Sequence, residues 1–138
     1  MKRNRKDGIT LIELLVVMVI IALFATLVGQ RVFRNVEKAR QTTAKAQIGE
    51  FEGVLDAFRL DVGRYPTTEE GLQTLRVRPG NLERWDGPYL RKDVPLDPWQ
   101  RPYVYRCPGQ HGDFDLYSLG ADGQDGGEGE AADVTNWK

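Results

Sequence analysis

The chain has 138 residues, with 19 basic and 20 acidic side chains, one histidine and one cysteine, for a net charge of −1. That length fits one small domain plus a long helix, and a lone Cys107 excludes an internal disulfide and any CxxC zinc or redox motif. The charge is uneven: residues 1–8 carry Lys2, Arg3, Arg5 and Lys6 against Asp7, leaving 15 basic and 19 acidic residues beyond them, a poor footprint for nucleic acid.

A basic leader, residues 1–8, ends at Gly8. Ile9 to Val28 then form an apolar run with one charge, Glu13. At about 1.5 Å per residue, about 20 helical residues span roughly 30 Å, the thickness of a bilayer core. The positive-inside rule predicts a cytoplasmic N-terminus, with the bulk of the chain across the membrane. The run is long for a cleaved secretory signal, and no Ala-x-Ala site follows it closely. An uncleaved signal anchor is the plainer alternative. Neither accounts for Glu13. A carboxylate at the centre of a membrane helix costs about 2.5–3.5 kcal/mol, less when only four residues inside it, so it asks for a partner.

Beyond Gly29 and Gln30 the helix continues. Ile48, Phe51, Leu55, Phe58 and Val62 recur at spacings of three and four, with Val54 alongside, which predicts an amphipathic helix with one core face from Ala44 to Val62. Lys45, Glu50, Glu52, Arg59 and Asp61 lie opposite. The stretch from Arg31 to Thr43, including Arg34, Glu37, Lys38, Arg40 and Gln41, is more polar; it reads as solvated in a monomer and packed against other helices in an assembly. Gly49 and Gly53 lower helix propensity by about 1 kcal/mol each.

Gly63-Arg64-Tyr65-Pro66 ends the helix, with glycine as cap and proline as stop. Thr67-Thr68-Glu69-Glu70 is a capping box that predicts a short helix through about Leu75, burying Leu72 and Leu75. Arg76 to Leu90 reads as loop, with Trp85 and Tyr89 as packing anchors. Tyr103–Tyr105 and Phe114–Ser118 alternate around the turn Pro108–Gly112 and predict an antiparallel hairpin. About three strands laid on the long helix bury both apolar faces. His111 is a turn residue, Cys107 an inert thiol, and Ser118 has no visible catalytic set. No nucleophile–base pair or catalytic metal cluster stands out, so the chain reads as a non-enzyme.

Residues 109–138 hold seven acids and one Lys among many glycines. That composition admits a solvated tail or a loop folded around a hard cation. The spacing is not that of an EF-hand.

Four stretches carry a resemblance. Gly8-Ile9-Thr10-Leu11-Ile12-Glu13-Leu14-Leu15-Val16-Val17 resembles the N-terminus of type IV pilins and pseudopilins, with Ile9 where that family usually has Phe. The resemblance implies cleavage between Gly8 and Ile9 by a prepilin peptidase, N-methylation of Ile9 by the same enzyme, and pairing of Glu13 with the N-terminal amine of a neighbouring subunit. Arg64–Leu72, Val94–Trp99 and Asp115–Gly123 resemble the major pseudopilins of the type II secretion system. Adhesive type IV pilins usually end in a disulfide loop, which one cysteine cannot make. Gln100 stands where the family commonly has Gly after Pro-Trp.

That likeness implies an α+β, pilin-like fold: a long N-terminal helix, transmembrane in its first half, packed on a small antiparallel sheet with a C-terminal calcium loop. The expected organisation is a leader over 1–8, a transmembrane or filament-core helix over 9–29, its amphipathic continuation over 30–62, and a periplasmic region over 63–138. The calcium loop would span 119–134. Structural Ca2+ would be held by Asp122 and Asp133, by the main-chain oxygens of Leu119 and Val134, and by Asp125 in reserve, with Ala132 where the family often has a second acid. The implied function is the major subunit of the type II secretion pseudopilus, a homopolymer that helps export folded proteins across the outer membrane. The implied partners are minor pseudopilins, the prepilin peptidase/N-methyltransferase, the inner-membrane secretion platform, the outer-membrane secretin and membrane lipid, but no nucleic acid. The location would be the bacterial inner membrane, single-pass, with the globular domain in the periplasm. A subunit of a type IV pilus or of a competence (DNA-uptake) pseudopilus is the alternative.

Overall fold

The computed structural model describes residues 8–80 and 82–138. Most of the expected leader, including Lys2, Arg3, Arg5, Lys6 and Asp7, lies outside the described residues. The first element is a helix, α1, from Leu11 to Val62, 52 residues without a break. The chain divides into two compact units, one ending at Val36 and one from Glu37 to Lys138.

In the first unit the helix is apolar and its large side chains are bare. Leu11, Ile12, Leu14, Leu15, Met18, Ile21, Leu23 and Phe24 are all exposed. This segment is long and apolar enough to cross a membrane. Its one hydroxyl in mid-run is satisfied locally, Thr26 Oγ1 donating to Ala22 O at 2.9 Å.

In the second unit α1 becomes amphipathic. Ala44, Ile48, Phe51, Leu55 and Phe58 are buried on one face, as the three-and-four spacing predicts. Each large apolar side chain so buried stabilises the fold by roughly 1.5–3 kcal/mol. They pack with Leu72, Leu75, Leu90, Tyr103, Tyr105, Phe114, Leu116 and Val134. Phe51 meets Tyr103 edge-on at 5.4 Å, and Phe58 meets Tyr89 at 5.5 Å. Trp85, itself edge-on to Tyr89, donates its indole N–H to Thr74 O at 2.8 Å. The two anchors of the 76–90 loop therefore close it over the helix.

The Gly63 N–H donates to Arg59 O at 2.8 Å and caps α1. The capping box forms in both directions: Glu70 N to Thr67 Oγ1 at 3.2 Å, and Thr67 N to Glu70 Oε2 at 2.8 Å. The short helix expected after it does not form as an α-helix. One turn closes from Gly71 N to Thr67 O, then Gly71 takes φ +61 and breaks it. Only a 3-10 turn, Leu72–Leu75, follows. Leu72 and Leu75 are nonetheless buried. Arg64 grips Glu70 at 2.7 Å, and that guanidinium holds the Glu70 carboxyl below its ordinary value against the effect of burial.

Three strands complete the unit: β1 (Val104–Arg106), β2 (Asp115–Ser118) and β3 (Val134–Thr135). The sheet order is β1-β2-β3, all antiparallel, with Tyr105 opposite Leu116 and Ser118 opposite Val134. All four β2 residues are buried, where alternation alone suggests one wet face. The C-terminus covers the outer face. Trp137 stacks on His111 at 4.0 Å and meets Tyr117 edge-on at 5.5 Å. Asn136 extends the pairing, accepting from Leu116 N at 2.9 Å and donating to Leu116 O at 3.0 Å.

Asp115 pins the hairpin turn. It accepts the N–H groups of Gln110 and His111 at 2.9 and 3.1 Å, and His111 Nδ1 lies 3.1 Å from its second oxygen. Burial pushes this carboxyl up, but the two N–H groups and the His111 ring outweigh it and hold it below the ordinary carboxylate value. A lowered folded-state pKa means stability present at neutral pH and lost as pH falls below about 4. Asp115→Asn leaves an N–H donor facing another amide hydrogen and should cost about 1–3 kcal/mol at pH 7. In urea titrations the gap to wild type should narrow by pH 3; parallel stability curves across that range would contradict this role.

Candidate assembly and metal-binding sites

The first candidate site is the start of α1. Gly8 and Ile9 precede the helix and are exposed. Thr10 and Glu13 face each other as a second capping box, Glu13 N to Thr10 Oγ1 at 3.3 Å and Thr10 N to Glu13 Oε2 at 3.5 Å. Both bonds are long, so Glu13 is held only loosely. Its carboxylate folds back toward the N-terminal end of the helix, where an amine on Ile9 would lie. The spacing Thr-x-x-Glu signals this box in the sequence.

The second site is the loop between β2 and β3. The pairing of Ser118 with Val134, continued by one residue, sets Leu119 opposite Asp133. Asp133 Oδ2 accepts Gly126 N at 2.8 Å, and Asp133 N donates to Gly126 O at 3.3 Å. Its other oxygen, Oδ1, is buried with no hydrogen-bond partner among the described residues. Burial pushes the Asp133 carboxyl up; Gly126 N–H opposes this, while the charges of Asp125 and Asp122 push it up further. Asp122 Oδ1 caps Gln124 N at 3.0 Å. None of the three acids forms an ion pair among the described residues. Asp122, Asp125 and Asp133 lie in the one loop, close enough for the charges of the first two to act on the third, and Leu119 and Val134 lie at the ends of the strands that flank it.

Among the described residues no three His, Cys, Asp or Glu side chains are grouped so as to hold a metal by themselves. A hard cation here needs main-chain oxygens to complete its shell, which suits the chemistry of calcium. The orphaned Oδ1 of Asp133, among like charges, is the observation that fits a cation.

A buried polar network stands beside this loop. Asp97 is almost wholly buried. It accepts Trp99 N at 3.0 Å, Arg101 N at 2.8 Å and Ser118 Oγ at 2.6 Å. Those bonds close a tight turn in which Gln100 sits at φ +66. The turn keeps the left-handed conformation that glycine normally supplies, at a cost of about 1–2 kcal/mol that the Asp97 bonds offset. Trp99 reaches α1, donating to Glu37 Oε2 at 2.9 Å. Arg101 reaches the loop, donating to Gly120 O at 2.7 Å and Ala121 O at 3.3 Å. Its guanidinium fills the space where a Cβ on Gly123 would lie, 2.7 Å away. No local pattern in the sequence signals Arg101. Ser118 is bound to Asp97 and His111 to Asp115, so these two side chains are engaged separately.

Comparisons with known proteins bear on the family and the fold. Residues 31–137 match the family model described as "Type II secretion system (T2SS), protein G", and residues 3–29 match the prokaryotic N-terminal methylation motif. The type II secretion system core protein G of Pseudomonas aeruginosa is 44% identical over 140 residues, covering 99% of each chain. That of Vibrio cholerae is 44% identical, covering 99% of this chain and 96% of its own. The crystal structure of the major pseudopilin from the type 2 secretion system of enterohaemorrhagic Escherichia coli superimposes with a TM-score of 0.64 at 39% identity, covering 75% of this chain and 87% of that one. With the globular unit matched by one model, the N-terminal helix by the other, and relatives alike along nearly their full length, the chain belongs to the type II secretion system protein G family.

Proposed function

We propose that the chain is the major subunit of a type II secretion pseudopilus and acts by polymerising through α1. The observation that carries this reading is the bare apolar helix before Val36, with Glu13 near its start. Its surface is too apolar for water and carries a charge too costly for plain lipid. Both demands are met when helices of several copies pack together. Cleavage after Gly8 frees the amine of Ile9, which the peptidase methylates. Glu13 of one copy then pairs with the Ile9 amine of a neighbour. In a low-dielectric core an unmatched charge is strongly destabilising, so the pair selects register. The weak hold of Thr10 on Glu13 leaves the carboxylate free to exchange its own helix cap for that amine.

In this reading the helix is anchored in the bacterial inner membrane, with the globular unit in the periplasm. The filament grows on the inner-membrane platform, contacts minor pseudopilins and works with the outer-membrane secretin. Calcium in the 119–134 loop is structural: it would neutralise Asp122, Asp125 and Asp133 and gather them with the Leu119 and Val134 carbonyls. The chain's own part is to present Asp133 Oδ1 inward and to tie β3 to β2.

Two experiments test this. In the first, Glu13→Ala should leave the thermal melt of the globular unit unchanged while filaments vanish from electron micrographs; filaments as abundant as wild type would contradict the assembly role. In the second, a calcium chelator should lower the melting temperature of the full chain in detergent. An unchanged melt, with no calcium by elemental analysis, would contradict the metal reading.

A further inference from the structure

Residues 124–130 of the loop are exposed throughout. Burial therefore does little to hold their shape, and Gly126, Gly127 and Gly129 give them wide backbone freedom. The short 3-10 turn at Gly129–Ala131 is closed by long internal bonds, Ala131 N to Glu128 O at 3.2 Å and Ala132 N to Gly129 O at 3.3 Å. Yet Asp133, three residues after Glu130, must arrive with one oxygen buried. A rigid element has to supply the order that the loop lacks.

That element is α1. Gln41 Nε2 donates to Gly129 O at 2.9 Å and to Glu130 O at 3.2 Å, across 88 and 89 residues of chain. Ala44, one turn further on, is fully buried and fixes the rotation of the helix at this point. Lys45, on the same flank as Gln41, approaches Lys138 O at 3.4 Å. We propose that Gln41 is a positioning residue for the calcium loop: its amide holds the 129–130 turn so that Asp133 is presented to the cation before the cation arrives.

The proposal rests on the calcium reading of the loop. A cation that binds only the ordered loop has an apparent affinity reduced by the fraction of molecules in which the loop is ordered. Gln41 raises that fraction without touching the metal. Its neutrality matters, because a lysine could donate the same bonds only by adding positive charge close to a divalent cation. The polar stretch Arg31–Thr43 thus contains a residue with a task inside the single chain, besides any role in packing between copies.

The test is calorimetric titration of the full chain in detergent with calcium chloride, with thermal melts in calcium and in chelator. Gln41→Met keeps length and helix propensity but removes the donor; Gln41→Ala serves as a second truncation. Both should weaken calcium binding by roughly five- to tenfold and shrink the calcium-dependent rise in melting temperature, while the melt in chelator stays close to wild type. Unchanged calcium affinity in both variants overturns the proposal, even if both melts fall together, since that is the mark of a merely structural contact. A wild-type chain that binds no calcium overturns the metal reading and this proposal with it.

Discussion

One helix must satisfy two environments, and everything else in the molecule is arranged around that. Beyond Glu37 the side chains of α1 sort onto one face, and Ala44, Ile48, Phe51, Leu55 and Phe58 form the wall on which the sheet and loops are built. Before Val36 there is no such sorting, and leucine, isoleucine, valine and phenylalanine stand exposed on every side. A surface of that kind drives association with lipid or with like surfaces. The second unit has a core of its own; the helix before it leaves its large apolar side chains exposed.

The globular unit is held by buried and half-buried polar contacts as well as by its small core. Asp97 gathers Trp99, Arg101 and Ser118, and through them reaches Glu37 on α1 and the Gly120–Ala121 carbonyls. Asp115 organises the hairpin turn, and Asn136 lengthens a two-residue strand into a useful one. With so little sheet, these contacts specify register that strand pairing alone leaves loose. The 119–134 loop is itself held from three sides, by Ser118 of β2, by Arg101 of the Asp97 turn and by Gln41 of α1. A loop rich in glycine and acid would otherwise repel itself open.

The features legible in the sequence are those with a local code. Spacing of three and four marked the buried face of α1, Thr67 and Glu70 marked their reciprocal cap, and Gly63 with Pro66 marked the helix end. Alternation marked β1 and β2. The helix expected after Thr67 was lost to Gly71, whose positive φ ends the first turn; glycine at that place permits the break but does not announce it. Burial on both faces of β2 depends on Trp137 folding back over Tyr117 and His111, a contact that periodicity cannot carry. At the sites, the acids Asp122, Asp125 and Asp133 and the lone Glu13 were conspicuous by composition. Arg101 and Gln41 were not, because their partners are main-chain carbonyls tens of residues away, and a carbonyl has no sequence signature.

The central claim is that the Gly8–Ile9 junction turns a membrane helix into a filament subunit. Intact-mass spectrometry of the protein from cells with and without the prepilin peptidase tests it most directly. Peptidase-containing cells should yield a chain lacking residues 1–8 and carrying one added methyl group, while cells without the enzyme should yield the full 138 residues. An uncleaved N-terminus in the presence of the peptidase would contradict it.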